Sequence, residues 1–476
     1  MRIINWLDNF IDYLFNSKWS IYIILIITAL IVLPNIGRES LWLDEIFSAN
    51  ATLKTASLNE MFSKYIVNDV HPPLYYIILY YWGKIFSASD VGIRLLSYAF
   101  TILGLILSYL LLLKYFTRRV AIIFLSLSAF TPGVLYFAQE ARMYALLYAL
   151  ACLASVLFLI FIKRIKDNQK IEKKLIIYYF LVGVLACYTH FFGYIIIFSI
   201  SSVLVIYSFL LKRNNSTIYL IAVSSFIGII GIIWLFIQYY YGRIGNNLHS
   251  NIMVRNNIKS IILNFSTLFA ANKFGVALLL ILLTPFLIKF SHFLRLLKVY
   301  IIILLPVLLL FLTAYIVSLK TFTISERYLI VTIPLILLFI AFIFNELFFN
   351  RKQYILLYLI GLLIISTYKN YTYKKQNWRD ASKYIENKIN SSNCKVPIKS
   401  LSDGSFDRLA FVSYYLGPKY TYSSNGPEIQ ENCDLIYIDG HTNEEGIRRT
   451  LVNYNISIPY EILNFNKVYV VIKKRK

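Results

Sequence analysis

Four cysteines, four methionines and only 24 acidic residues stand in a chain of 476. The cysteines and the five histidines show no metal-type spacing, which excludes a zinc ribbon or finger. No glycine-rich loop of the nucleotide-binding kind is present, so a Rossmann or P-loop enzyme is excluded too. There is no internal repeat and no low-complexity tract, and charged residues make up only 15% of the chain. Cys152 and Cys187 fall in apolar runs and read as inert packing residues. Cys394 and Cys433 fall in a polar region, where a disulfide and two thiols are both open readings.

What is abundant is apolar surface. The chain is 58% hydrophobic, with a mean hydropathy of +0.64. A soluble core stops growing near about 250–300 residues and has no use for so much. Apolar runs of membrane-crossing length imply a polytopic helical membrane protein, since a spanning backbone must satisfy its own hydrogen bonds. The net charge of +23 does not indicate a nucleic-acid partner. Lys and Arg collect in short loops between apolar runs, as the positive-inside rule requires, and no basic stripe with interleaved aromatics occurs.

Spans are expected near 20–36, 92–113, 120–137, 143–162, 175–189, 191–211, 218–240, 274–290, 299–319, 328–348 and 353–369, about eleven in a range of 11–13. Residues 1–19 read as an interfacial helix lacking a small-residue cleavage site. The run 71–86 is short for a span and rich in Tyr and Trp, so it is expected to lie on the membrane surface. With a cytoplasmic N-terminus, the loops 114–119, 163–174, 212–215, 295–298 and 351–353 then face inward, and all are basic. The region 37–90 becomes a large outer loop, with a second surface helix over 57–66. The membrane domain covers 20–370. From 371 to 476 the chain is expected to form a small extracytoplasmic α/β domain, with a helix over 380–389 and strands at 434–440 and 467–474.

Under this topology the unusual polar residues meet on the outer side. Ionisable groups at a membrane boundary are costly unless paired or wet, which makes them functional candidates. Asp44 and Glu45 follow the first span. On a helix they point about 100° apart, so one is suited to chemistry and the other to orientation, although acids at a helix start are also favoured by the macrodipole. His71 precedes Pro72 and Pro73, which stiffen its approach; a helix-capping histidine fits equally. In "QEARMY", Gln139 and Arg142 are spaced to share one helix face, and Glu140 and Tyr144 another. Arg142 suits a phosphate through its donor fork, and an ion pair with Glu140 is the plainer alternative. His190 sits among aromatics, and Glu326, Arg327 and Tyr328 open a late span, where Arg327 either snorkels or holds a phosphate.

The order of "LWLDE", "HPPLYY", "QEARMYAL", "THFFG" and "ERYL" followed by a proline resembles glycosyltransferase family 39 and its RgtA-D-like relatives over roughly residues 20–340. These belong to the GT-C superfamily and include protein O-mannosyltransferases and lipid A aminoarabinose transferases. The resemblance implies eleven to thirteen spans and a first outer loop with surface helices. It implies a sugar donor carried on a polyprenyl phosphate, and an acceptor that is a protein, lipid or glycan. Asp44 matches the general base, with Glu45 assisting, and His71 matches the first residue of the His-Pro-Pro motif. Arg142, His190 and Arg327 match positions near the donor phosphate. No cofactor is required; a divalent metal at Asp44, Glu45 and His71 is compatible with the pattern. A transporter or flippase of lipid-linked sugars, a polysaccharide polymerase or ligase, and an inactive binding subunit are the rival readings. Neither inverted repeats nor midplane helix breaks, which a transporter would need, are evident in the sequence.

Overall fold

The computed structural model describes residues 11–86, 88–241, 258–270, 275, 290–319, 324–349, 352–391, 398–400, 409–417, 420, 422–423, 435–439, 443–453 and 460–473. Chain packing divides it into two compact units. The larger comprises Met1–Asn35, Thr55–Ser87 and Gly92–Thr372; the smaller comprises Ile36–Lys54, Ala88–Val91 and Tyr373–Lys476.

The larger unit is a helical membrane bundle. It contains α1 (Ser20–Val32), and the helices α2 (Leu43–Leu53), in the smaller unit, and α3 (Leu58–Lys64) follow in the chain. Next come α4 (Leu74–Ile85), α5 (Asp90–Tyr115), α6 (Arg118–Ala129), α7 (Pro132–Phe137) and α8 (Tyr144–Lys166). The rest of the bundle is α9 (Lys173–Cys187), α10 (Phe191–Leu210), α11 (Asn214–Tyr240), α12 (Ile258–Phe269), α13 (Phe290–Tyr300), α14 (Leu305–Ser318), α15 (Ile333–Leu347) and α16 (Gln353–Thr372). Among the described residues six helices are long and apolar enough to cross a membrane, or seven if the bent pair α13–α14 is one span. The expected span 274–290 lies almost entirely outside the described residues.

Helix α8 is apolar all round and nearly wholly buried, as a bundle's central helix must be. A Cβ on Gly104 would stand 2.7 Å from the Ala149 backbone, so small residues let α5 and α8 pack closely. Three expected elements differ in detail. The span 120–137 is broken at Phe130–Thr131, because Pro132 cannot continue α6 and instead starts α7. Residues 295–298, expected as a loop, lie within α13, which bends by 59° into α14 near Pro306. The last but one span opens with a 3-10 turn, Glu326–Thr332, before α15. The run 71–86 forms only the 12-residue α4, about 18 Å long and too short to span. Helix α3 forms within the second helix expected in this region, 57–66, and is capped by Ser57.

The smaller unit is α/β. Strands β1 (Ile398–Ser400), β2 (Tyr422–Ser423), β3 (Leu435–Asp439), β4 (Tyr460–Asn464) and β5 (Tyr469–Lys473) form one sheet ordered β2-β1-β3-β5-β4. β1 runs parallel to β2 and β3, whereas β5 is antiparallel to both β3 and β4. Helices α17 (Trp378–Asn390), α18 (Leu409–Leu416) and α19 (Glu444–Asn453) complete it. Ile447 and Leu451 of α19 bury against Tyr469 and Val471 of β5. The β4–β5 hairpin turns through Asn466 and Lys467, both at positive φ, which matches the right-handed strand twist. Ile36–Lys54, expected inside the membrane domain's first loop, packs with this unit. Cys394 and Cys433 lie outside the described residues.

Candidate functional site

In the larger unit, a 3-10 turn at Ile66–Asn68 ends at Asp69, two residues before His71. The Asp69 carboxylate accepts from His71 Nδ1 at 3.0 and 3.1 Å and from the Tyr76 hydroxyl at 2.6 Å. Pro73 caps α4, whose first turn carries Tyr76. The Leu74 amide donates to the Tyr188 carbonyl at 3.0 Å, which ties α4 to the α9–α10 turn. The Tyr76 oxygen in turn accepts from Arg142 Nη1 at 2.9 Å. Burial pushes the Asp69 carboxyl up, but His71, Arg142 and the Tyr76 hydroxyl outweigh it and hold it well below the usual carboxylate range.

Arg142 is buried, at 3% exposure, and comes from a turn rather than a helix. The Arg142 amide folds back onto the Glu140 carbonyl at 2.7 Å, so the helix-face pairing expected for "QEARMY" does not apply. The Glu140 carbonyl also accepts from Ser97 Oγ at 2.6 Å. Gln139 donates to Leu135 O at 2.9 Å and to Asn370 Oδ1.

His190 caps α10: its Nδ1 accepts the Phe192 amide at 3.0 Å, which places the proton on Nε2. Burial first, then His71, Arg142 and Arg327, press its pKa well below the ordinary value, so it stays neutral and donates through Nε2. Its ring lies 5.4 Å from His71, 5.0 Å from Tyr328 and 5.9 Å from Tyr144. Tyr328 stacks on Phe192 at 5.3 Å. A Cβ on Gly193 would come 2.0 Å from the Ala186 carbonyl oxygen, so only glycine permits this turn. Glu326 instead accepts from the Thr267 hydroxyl, whose backbone carbonyl binds Lys369 Nζ at 2.8 Å.

The bundle thus brings Asp69, His71, Arg142, Tyr144, Arg327 and Tyr328 around His190. Gln139 and Glu326 bond to Asn370 and Thr267. The arrangement offers a guanidinium and a neutral imidazole N–H, a donor set suited to an oxyanion. Asp69 and Tyr76 are the residues that sequence reasoning missed; an acid two positions before the His-Pro-Pro run was the signal for the first.

In the smaller unit Asp44 and Glu45 occupy the first turn of α2. Asp44 is half-buried, whereas Glu45 is fully buried. Glu45 Oε2 accepts the Trp42 amide at 3.3 Å and Lys375 Nζ at 2.9 Å. Glu45 is therefore held at both the helix start and the Lys375 ammonium. Lys375 is itself fixed, its amide donating to Glu39 at 3.0 Å and its carbonyl accepting from Asn466 of the hairpin turn. Asp90 accepts from Arg379 at 2.8 Å and from the Tyr414 and Tyr415 hydroxyls at 3.1 and 3.0 Å. Burial and then Asp90 raise both phenols, so they remain donors. Among the described residues no group of three or more His, Cys, Asp or Glu is placed to hold a metal ion.

No protein-family model and no curated protein matches the chain. Solved structures do. ArnT from Cupriavidus metallidurans in the apo state superposes with a TM-score of 0.62 at 10% identity, over 96% of this chain and 98% of that one. The same protein bound to undecaprenyl phosphate gives 0.59 at 11% identity, over the same 96% and 98%. A looser likeness, TM-score 0.45 at 14% identity over 84% of this chain and 62% of that one, is to an Archaeoglobus fulgidus oligosaccharyltransferase complex with Zn and sulfate. The chain shares its fold with ArnT: a multi-pass helical membrane bundle with a small α/β unit.

Proposed function

We infer that this protein is a glycosyltransferase that moves a sugar from a polyprenyl-phosphate donor to an acceptor hydroxyl at the outer face of the membrane. The observation that carries the reading is the donor cluster around the buried His190, in which Arg142, Arg327 and the His190 Nε2–H gather at loop and turn positions next to span ends. Such groups stabilise a phosphate that gains charge as it leaves. The undecaprenyl phosphate held by one ArnT structure supports this donor class.

The reaction is an inverting displacement. Asp44 removes the acceptor hydroxyl's proton, and that oxygen attacks the anomeric carbon. The bond from this carbon to the phosphate oxygen breaks, and the polyprenyl phosphate departs with the electron pair. Glu45, neutralised by Lys375, fixes the helix turn that presents Asp44. Asp69 holds His71 by one ring nitrogen and fixes Tyr76, which supports Arg142. The basic loops between spans support an outward-facing site and an extracytoplasmic C-terminal domain.

The test uses the full chain in proteoliposomes with synthetic polyprenyl-phosphate sugars. Asp44→Asn should abolish transfer yet bind donor as tightly as before, which neither a flippase nor a binding subunit would show. Full transfer by Asp44→Asn would overturn the assignment of the base. Failure of any lipid-linked sugar to bind would overturn the donor class.

A further inference from the structure

A second feature lies within the larger unit, away from the cluster above. The helical segment 11–16, α1, α6 and α16 enclose an apolar groove of about 380 Å³, the size of a small-ligand site. Phe15, Ile24, Ile122, Phe130, Ile355 and Leu363 line it. Its polar lining is slight, and the Ser20 hydroxyl there is already spent on the Leu14 and Ser17 carbonyls. Along α6 it runs from Ile122 to Phe130, and along α16 from Ile355 to Leu363. Each stretch rises about 12 Å, close to half of a ~30 Å hydrocarbon core. The groove therefore has the length of one leaflet.

Its mouth is cationic. The Arg119 guanidinium lies 5.2 Å from the Phe15 ring and donates to the Phe348 carbonyl at 3.1 Å. Arg119 Nε is buried with no hydrogen-bond partner. Arg118 reaches the Ser17 carbonyl at 3.4 Å, Lys352 pairs with Asp12, and Lys18 is exposed beside Trp19. Glu346 also faces Arg119. Four cations thus meet two carboxylates, Asp12 and Glu346, leaving an excess of two positive charges.

We propose that this groove is a binding site for an anionic glycerophospholipid, with one acyl chain along α6 and α16 and the phosphate at Arg119. A guanidinium against the lining residue Phe15, with its Nη atoms on the Phe348 and Phe349 carbonyls and its Nε without a partner, beside an apolar, leaflet-long cleft, matches such a lipid in both its halves. A zwitterionic lipid would fill the cleft without using the excess charge, which is worth roughly 1 kcal/mol per basic residue toward an anionic headgroup. The site stands independently of the transferase reading.

The test is native mass spectrometry of the delipidated full chain, titrated with equal amounts of phosphatidylglycerol and phosphatidylcholine. Phosphatidylglycerol should be retained about tenfold or more over phosphatidylcholine, and Arg119→Gln should erase that preference. Ile24→Trp, which fills the groove, should remove the bound lipid. Ile360→Trp, at a lining position already 43% exposed, serves the same end if the first variant fails to fold. Equal retention of the two lipids would overturn the proposal, as would an adduct that survives the filled groove. Displacement of phosphatidylglycerol by undecaprenyl phosphate in the groove-dependent fraction would also overturn it, by assigning the cleft to a polyprenyl tail. Donor binding, measured on the same variants, should not change.

Discussion

Lys375 and Glu45 meet at 2.9 Å with 7% and 0% of their side chains exposed. Lys375→Met keeps most of the stem's volume and removes the charge. It strands a carboxylate that lies beneath the first turn of α2, the turn carrying Asp44. Removing one partner of a buried pair costs about 3–5 kcal/mol, because the remaining charge is desolvated without compensation. Every 1.4 kcal/mol is tenfold, so local opening of α2 should rise about 10²-fold or more. Hydrogen exchange of the α2 amides in the full chain reads this opening directly. Lys375→Arg should restore much of the protection. Glu45→Gln combined with Lys375→Met should open less than Lys375→Met alone, because the stranded charge is gone. A Lys375→Met protein with wild-type exchange in α2, or a double variant no better than the single one, would refute the reasoning.

Arg142→Lys keeps the charge but loses the fork that reaches Tyr76, so donor affinity should fall about tenfold in a polyprenyl-phosphate binding assay while the fold is retained. Gly193→Ala must displace the Ala186 carbonyl, and His190 with it; donor binding should be lost together with a clear drop in the thermal midpoint of the purified protein. The folded Asp69 pKa lies below its unfolded value, so its contribution is fully present above that unfolded value and disappears as pH falls through the folded one. Acid unfolding followed by near-ultraviolet circular dichroism should therefore steepen only below about pH 4, and Asp69→Asn should flatten that limb.

The bundle was legible because its signal is summed over many residues. A run such as 144–162 stays apolar at every helical phase, and no local conflict competes with membrane burial. Where the reading slipped, one residue decided the matter. Pro132 breaks a run whose hydropathy continues without a pause, and Pro306 follows a bend that hydropathy does not register. Helical spacing within 138–143 suggests shared faces for Gln139 with Arg142 and for Glu140 with Tyr144; the backbone folds instead onto the Glu140 carbonyl. Spacing reports which faces a helix would have, not whether a helix forms.

The site divides along the same line. His71, Arg142, His190 and Arg327 stood out because each is an ionisable group next to an apolar run, where it is expensive. Asp69 was hidden by its setting, since an acid in a polar loop costs nothing until the fold buries it against His71 and Tyr76. Lys375 left a subtler trace. Lys374 and Lys375 follow the last span on the side that charge bias assigns to the exterior, where basic residues should be few. A cation that defies the sidedness rule needs a local reason, and the Glu45 carboxylate supplies it for Lys375. The same logic separates the two carboxylates of "LWLDE". Glu45 is held by its amide and ammonium partners in the interior, whereas Asp44, one residue earlier in the same turn, stays half-buried, and the proposal that Asp44 is the base is consistent with that difference.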